Sequence, residues 1–329
     1  MIERSSLQAL VAGAALAFGL SAQAVEFTVG YQTVPTPSQV PQADGAYEKA
    51  TNATIHWRKF DAGAEVINAV ASGDVQIAYL GSSPLAAAAS RKLPIETFLI
   101  AAELGTSEEL VVRNGSGIAK PQDLIGKKIA VPFVSTGHYS LLAALKHWKI
   151  DPKKVEIVNL TPPNIIAAWA RGDIDGTYVW DPALGKAKET GKVLITSGEL
   201  AKLGAPTFDA WLVRKDFAEK NPGIVASFAK VTLDSFSAYN KDPKAWVADT
   251  ANIDKIAKIT GAKAEEIPGV LAGSGYLSPA EQIKTLGEPT ARALANTSAF
   301  LKEQGRIDAP LPSYAPYTNA SYVKAAGSL

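Results

Sequence analysis

The chain has 329 residues, with 33 basic against 32 acidic side chains, three histidines and no cysteine. The missing thiols exclude a disulfide framework, a thiolate nucleophile and a zinc ribbon, and the balanced charge leaves no electrostatic footprint for nucleic acid or an anionic membrane. At this length, with an ordinary hydrophobic fraction of 47%, two cores are expected rather than one.

Residues 7–24 read LQALVAGAALAFGLSAQA. The apolar run 9–20, followed by Ala22-Gln23-Ala24, has the form of a secretory leader, so export and cleavage after Ala24 are expected. The run is shorter than the roughly 20 residues of a membrane span. No cysteine is present to carry a lipid anchor, so the product is expected to be free after export.

Beyond the leader, strand-like and helix-like patterns alternate. Strands are predicted at 27–31 and 55–60, and a helix at 64–71 with Val66, Ile67 and Val70 on one face. A strand at 75–80, a helix at 84–91 and a strand at 95–101 follow. The middle repeats the theme: strand 128–132, helix 139–148, strand 155–160, helix 164–170, strand 176–179, a helical stretch after Pro182, and strand 193–195. Such alternation predicts an α/β architecture with open, mostly parallel sheets and helices on both faces. From Asp216 onward the chain reads as mostly helical. It includes a long amphipathic helix at 224–239 and a helix opened by the capping box Ser278-Pro279-Ala280-Glu281.

One internal echo stands out. Residues 71–80 read ASGDVQIAYL and residues 170–179 read ARGDIDGTYV. Each follows a helix and precedes a turn and a proline. The echo is too short for a solenoid repeat and points to two lobes of similar build, with a ligand cleft between them beyond the carboxyl ends of the strands.

Enzyme signatures are missing: no G-x-S-x-G elbow, G-x-G-x-x-G turn, P-loop or H-E-x-x-H is found. His56, His138 and His147 show no metal-ligand spacing. No cofactor and no metal are expected. Two segments suit an anion instead. Leu80-Gly81-Ser82-Ser83-Pro84 and Val134-Ser135-Thr136-Gly137-His138-Tyr139-Ser140 each follow a strand and open a helix, which leaves backbone N–H groups and hydroxyls for a three-oxygen anion. Plain N-capping explains either segment singly, and their occurrence in both halves favours a site.

Several runs resemble the periplasmic binding proteins for taurine, aliphatic sulfonates and nitrate. They are GDVQIAYLGSSP (73–84), DLIGKKIAVP (123–132), STGHYSLLAALK (135–146), VNLTPP (158–163), residues 168–175, and GAPTFDAWLVRK (204–215). The resemblance covers nearly the whole chain after the leader. YQT at 31–33, WRKFDAGAEVI at 57–67 and GAPTFDAW at 204–211 lean towards the taurine branch.

The resemblance implies the two-lobed type II periplasmic-binding-protein fold, with one lobe from 25–106 plus 210–329 and the other from 107–209. It places crossovers near 107–112 and 211–214. It implies capture of a small sulfonate, expected to be taurine, by hinge closure, and delivery to an ABC permease by a monomeric protein. Other alkanesulfonates, aminophosphonates or nitrate are the alternatives, and an enzyme on the same fold is a more distant one. For the sulfonate the implied contacts are Gln32, Ser82, Ser83, Thr136 and His138. For the ammonium they are Asp209 and Glu108. Trp180, Tyr139 and Trp211 would wall the site, where an aromatic face attracts the ammonium.

Overall fold

The computed structural model describes residues 24–329, and the leader expected at 7–24 lies, apart from Ala24, outside the described residues. In chain order the strands are β1 (Glu26–Tyr31), β2 (Thr54–Lys59), β3 (Ile77–Gly81), β4 (Ile95–Leu104), β5 (Glu108–Arg113), β6 (Lys128–Val131), β7 (Glu156–Asn159), β8 (Gly176–Trp180), β9 (Gly191–Thr196), β10 (Phe208–Arg214) and β11 (Ser274–Gly275). They form two sheets, β11-β4-β10-β3-β1-β2 and β7-β6-β8-β5-β9.

Helix packing explains the sequence patterns. In the helix Gly63–Ser72 the residues Val66, Ile67 and Val70 are buried, and Gly73 ends the helix at φ 90°, a left-handed conformation that costs glycine little. Strand β3 is buried along its whole length, as a strand covered on both faces should be. The helix Pro222–Lys241 sets Phe228 among Tyr47, Trp57, Phe98 and Trp211, with ring centroids 4.4–6.1 Å away. Ser278 and Glu281 cap the helix Pro279–Thr285 reciprocally. Among the described residues no helix is long and apolar enough to cross a membrane.

Three features depart from the sequence reading. The sheets are mixed rather than mostly parallel. Strand β10 runs antiparallel to β3 and β4, and β5 runs antiparallel to β8 and β9. These are the strands by which the chain arrives from the opposite sheet, so they run against the βαβ units they join. Second, the crossover strands expected near 107–112 and 211–214 coincide with β5 and β10, the latter opening earlier, at Phe208. The chain changes sheets at 105–107 and 203–207. Third, Asp209 therefore belongs to the first sheet, although the expected lobe boundary placed it with the second.

The first crossover is cramped. A Cβ at Gly105 would strike the Gly273 carbonyl, and one at Gly198 would lie 3.2 Å from Gly105 Cα. The amide of Thr106 donates to the Gly273 carbonyl at 2.9 Å. Glycine at 105 and 273 lets three backbone segments touch where the two lobes join.

Candidate functional site

The two sheets repeat one construction, and the internal echo marks it. Its copies end in β3 and β8, each lying between a parallel neighbour (β1, β6) and an antiparallel one (β10, β5). At the carboxyl end of β3, Gly81 pairs with Asp209 at the start of β10. At the carboxyl end of β8, Trp180 pairs with Glu108 at the start of β5. Each lobe thus delivers one carboxylate to the same place by the same strand pairing. Between them lies a narrow cavity of about 20 Å³, lined by Gln32, Tyr79, Gly81, Thr136 and Trp180 as well as Glu108 and Asp209.

Each carboxylate is held by hydroxyls. Tyr79 Oη donates to Asp209 Oδ2 at 2.6 Å. Thr136 Oγ1 donates to Glu108 Oε1 at 2.5 Å, and Ser197 Oγ donates to Glu108 Oε2 at 3.1 Å. Tyr178, the echo partner of Tyr79, lies 3.1 Å from Ser197 Oγ. Glu108 is 1% exposed and Asp209 7%, and among the described residues no lysine, arginine or histidine lines the cavity. Burial pushes the Asp209 carboxyl up to about 6. Burial, with Asp209 adding repulsion, pushes Glu108 up to about 8 against the pull of its hydroxyl donors.

The lobes meet across this cavity. A Cβ built on Gly81 would lie 2.7 Å from Thr136 Cγ2 and 3.3 Å from Asp209 Oδ1. Thr33 Oγ1 donates to the Asp181 carbonyl at 3.3 Å. Farther out, Arg306 stacks on Phe133 at 4.3 Å, Phe300 meets Tyr139 edge-on at 4.9 Å, and Lys263 bonds Glu189.

The two helix N-termini differ. The helix Thr136–His147 is capped by Ser135, whose Oγ accepts the His138 amide at 3.1 Å, and the Thr136 hydroxyl in its first turn donates to Glu108. The protein's own carboxylate therefore occupies the position expected to serve an outside anion. The helix Ser82–Ser90 has no side-chain cap. Ser82 Oγ accepts the Phe208 amide at 3.4 Å, and Ser83 Oγ is buried with no partner among the described residues. The free donors and the positive end of the helix dipole are concentrated here. The two N-termini are also not in matching places. One follows β3, and the other follows β6, the counterpart of β1.

Of the expected site residues, Gln32, Glu108, Thr136, Trp180 and Asp209 line the cavity, and Ser82 and Ser83 flank it in the first turn after Gly81. Three others face elsewhere. The His138 ring turns back to accept the Val134 amide at 3.3 Å and stacks on Phe133 at 4.8 Å. Burial, helped by nearby Arg306, pushes its pKa down to about 4. Tyr139, one residue on, points to Phe300. Trp211 packs against Tyr79 and Phe228 rather than walling the cavity. Sequence reasoning missed Tyr79 and Ser197, which hold the two carboxylates. The echo contained a signal for Tyr79, because it pairs Tyr79 with Tyr178.

Two buried carboxylates opposite uncapped N–H groups, with no cation beside them, suit a small ligand that carries both charges. Among the described residues no cluster of metal-ligating side chains is present.

Comparison with known proteins gives three results. The family model described as NMT1/THI5 like matches residues 59–246. The chain is 53% identical to the taurine-binding periplasmic protein of Escherichia coli K12, over 94% of this chain and 97% of that one. It is 28% identical to a putative aliphatic sulfonates-binding protein of Bacillus subtilis, over 67% of each. Among solved structures, the alkanesulfonate-binding protein SsuA of Xanthomonas axonopodis pv. citri, bound to MOPS, aligns with a TM-score of 0.72 at 20% identity, covering 87% of this chain and 96% of that one. The desulfurization enzyme DSZB aligns at 0.65 with 15% identity, over 92% and 99%.

Proposed function

The chain belongs to the NMT1/THI5-like family, and from that premise and the geometry of its cleft we propose that it captures taurine in the periplasm and hands it to a membrane permease. The observation that carries the reading is the juxtaposition of Asp209 and Glu108, from opposite lobes, beside the uncapped helix that opens at Ser82. The sulfonate end is assigned to the backbone N–H groups and hydroxyls at Ser82 and Ser83, together with the Gln32 carboxamide. A sulfonate is ionised at any physiological pH, so fixed dipoles suffice, and such charge-assisted bonds are strong. The ammonium end is assigned to Asp209 and Glu108, with the Trp180 ring against the two-carbon spacer.

Closure follows from the same contacts. A ligand gripped by both lobes binds the closed form preferentially and shifts the population towards it. The closed form then docks on the permease. The likeness of the fold to a desulfurization enzyme does not carry a reaction with it, since one fold serves many chemistries. The 53% identical relative is a binding protein by name, and the same non-catalytic role is proposed here.

Calorimetric titration of protein stripped by unfolding and refolding tests this. One-to-one binding of taurine is expected, well ahead of ethanesulfonate, 2-aminoethylphosphonate and nitrate. Equal heats for taurine and ethanesulfonate would remove the ammonium assignment, and no binding of taurine would remove the function.

A further inference from the structure

Among the described residues the cavity is lined by two carboxylates and no basic side chain, yet the proposed ligand brings a sulfonate into it. Closure draws the two lobes together around Asp209 and Glu108. Thr136 Oγ1, bonded to Glu108, and Asp209 Oδ1 each lie 3.3 Å from one point, the Cβ position at Gly81. A ligand with a sulfonate and an uncharged tail would close two carboxylates and a third anion into one dry space, which is strongly unfavourable. We propose that Glu108 is the specificity-determining residue of the site because the closed cleft requires one positive charge beside Asp209, supplied either by the ligand's ammonium or by a proton on Glu108. Sulfonates with uncharged tails are then a second ligand class, taken up together with a proton in acid. This inference rests on the taurine reading and extends it.

The surroundings of Glu108 permit that exchange. From β8 it faces Tyr178, from β3 Tyr79, from β10 Asp209, from the helix Thr136–His147 the Thr136 hydroxyl and Gly137 amide, and from the helix Ser197–Lys202 the Ser197 hydroxyl. Asp209 faces Tyr79, and Tyr276 lies close by. The nearby lysine, Lys188, is bound to Glu109 at 2.8 Å. When Glu108 is protonated, its O–H can donate to Thr136 Oγ1 at 2.5 Å once the Thr136 hydroxyl turns its own proton away, and its other oxygen keeps the Ser197 bond. The neutral form therefore requires only rotation of one hydroxyl.

The sign follows from burial. In the closed form Glu108 is raised from the usual 4.5 to about 8, and opening the cleft returns it towards water. The closed form binds the extra proton, so its stability is fully present below the usual value and is lost as pH rises through the raised one. Between those limits ethanesulfonate should bind with uptake of about one proton, which tightens it about tenfold per pH unit lowered. Taurine displaces that proton and should weaken or hold level over the same range.

The test is titration of ethanesulfonate and taurine at pH 7.5 and 5.5. Two buffers of different ionisation enthalpy at each pH count the protons. The expected result is at least tenfold tighter ethanesulfonate at pH 5.5 with proton uptake near one, against flat or weaker taurine with no uptake. Glu108→Gln, a mimic of the protonated acid, should bind ethanesulfonate at pH 7.5 about as the native chain does at pH 5.5. The proton count on the native chain stands even if that variant fails to fold. Tight taurine binding with ethanesulfonate undetectable, or equal at both pH values, overturns this inference alone. Failure of taurine at both pH values overturns the functional reading and this inference with it.

Discussion

Gly81 is where closure can be tested without touching a charge. The residue has an ordinary extended backbone at φ −70°, ψ 160°, so alanine brings no backbone strain. Its methyl group would meet Asp209 Oδ1 of its own lobe at 3.3 Å, a tight contact that a small rotation relieves. Across the cleft it would meet Thr136 Cγ2 at 2.7 Å, well inside van der Waals contact. Thr136 is fixed by its bond to Glu108, so the lobes themselves must part. An overpacked contact of this kind costs about 1–3 kcal/mol, and the cost falls on the closed form alone. Gly81→Ala should therefore weaken taurine by about 5- to 150-fold. The thermal midpoint of ligand-free protein should barely move, and small-angle scattering should show a larger radius of gyration with ligand bound than for the native chain. Native affinity together with native compaction would refute the claim that Gly81 and Thr136 meet in the ligand-bound state.

Two other substitutions probe the site from different sides. Asp209→Ala removes one member of a buried charge pair and should cost taurine about 2–5 kcal/mol while leaving ethanesulfonate level or improved; equal losses in calorimetry would sink the assignment. It also deprives Tyr79 of its acceptor, so a loss of about 1 kcal/mol in ligand-free stability should show in denaturant melts. Arg306→Ala removes the guanidinium stacked on Phe133 without touching the cavity. A cation–π contact is worth about 0.5–2 kcal/mol, so taurine should dissociate roughly 2- to 30-fold faster. An unchanged dissociation rate in stopped-flow measurements would show that this contact does not hold the lobes closed.

Most of the βα alternation was legible because those elements bury one face and show it as periodicity. Val66, Ile67 and Val70 marked a helix, and IAYLG marked a strand covered on both sides. Strands β5 and β10 were harder to read for a reason that is itself functional. EELVVR and FDAWLVR are buried strands that open on carboxylates, and an acidic residue before a short apolar run reads as a loop. Those carboxylates line the cavity between the lobes. His138 and Tyr139 went astray for a different reason. A hydroxyl-rich helix start shows where N–H groups point, and it does not show which way a ring two residues into the turn faces. The ring of His138 is taken by the Val134 amide and Phe133 of the preceding turn, an orientation that residue types alone do not display.

The pseudo-symmetry of the lobes gives these observations one explanation. Two copies of a strand pairing, Gly81 with Asp209 and Trp180 with Glu108, place a carboxylate at the mouth of each lobe. In the structure both carboxylates are buried beside one cavity between the lobes, where two like charges repel with little water to screen them. The cost of two like charges is therefore charged to the closed form specifically, which is the form the ligand must stabilise. A cation between the carboxylates removes that cost, and an anion without one increases it. Selectivity and closure then rest on the same electrostatics: the group that distinguishes taurine from a simple sulfonate is the group that lets the lobes meet. The asymmetry between the copies supports this division. Gly81, with no side chain, lets Thr136 and Asp209 come together beside it, while Trp180 at the matching position fills the other side and supplies a wall. Replacing symmetry with that one difference in size turns two equal strand ends into a cavity with a charged end and an apolar flank.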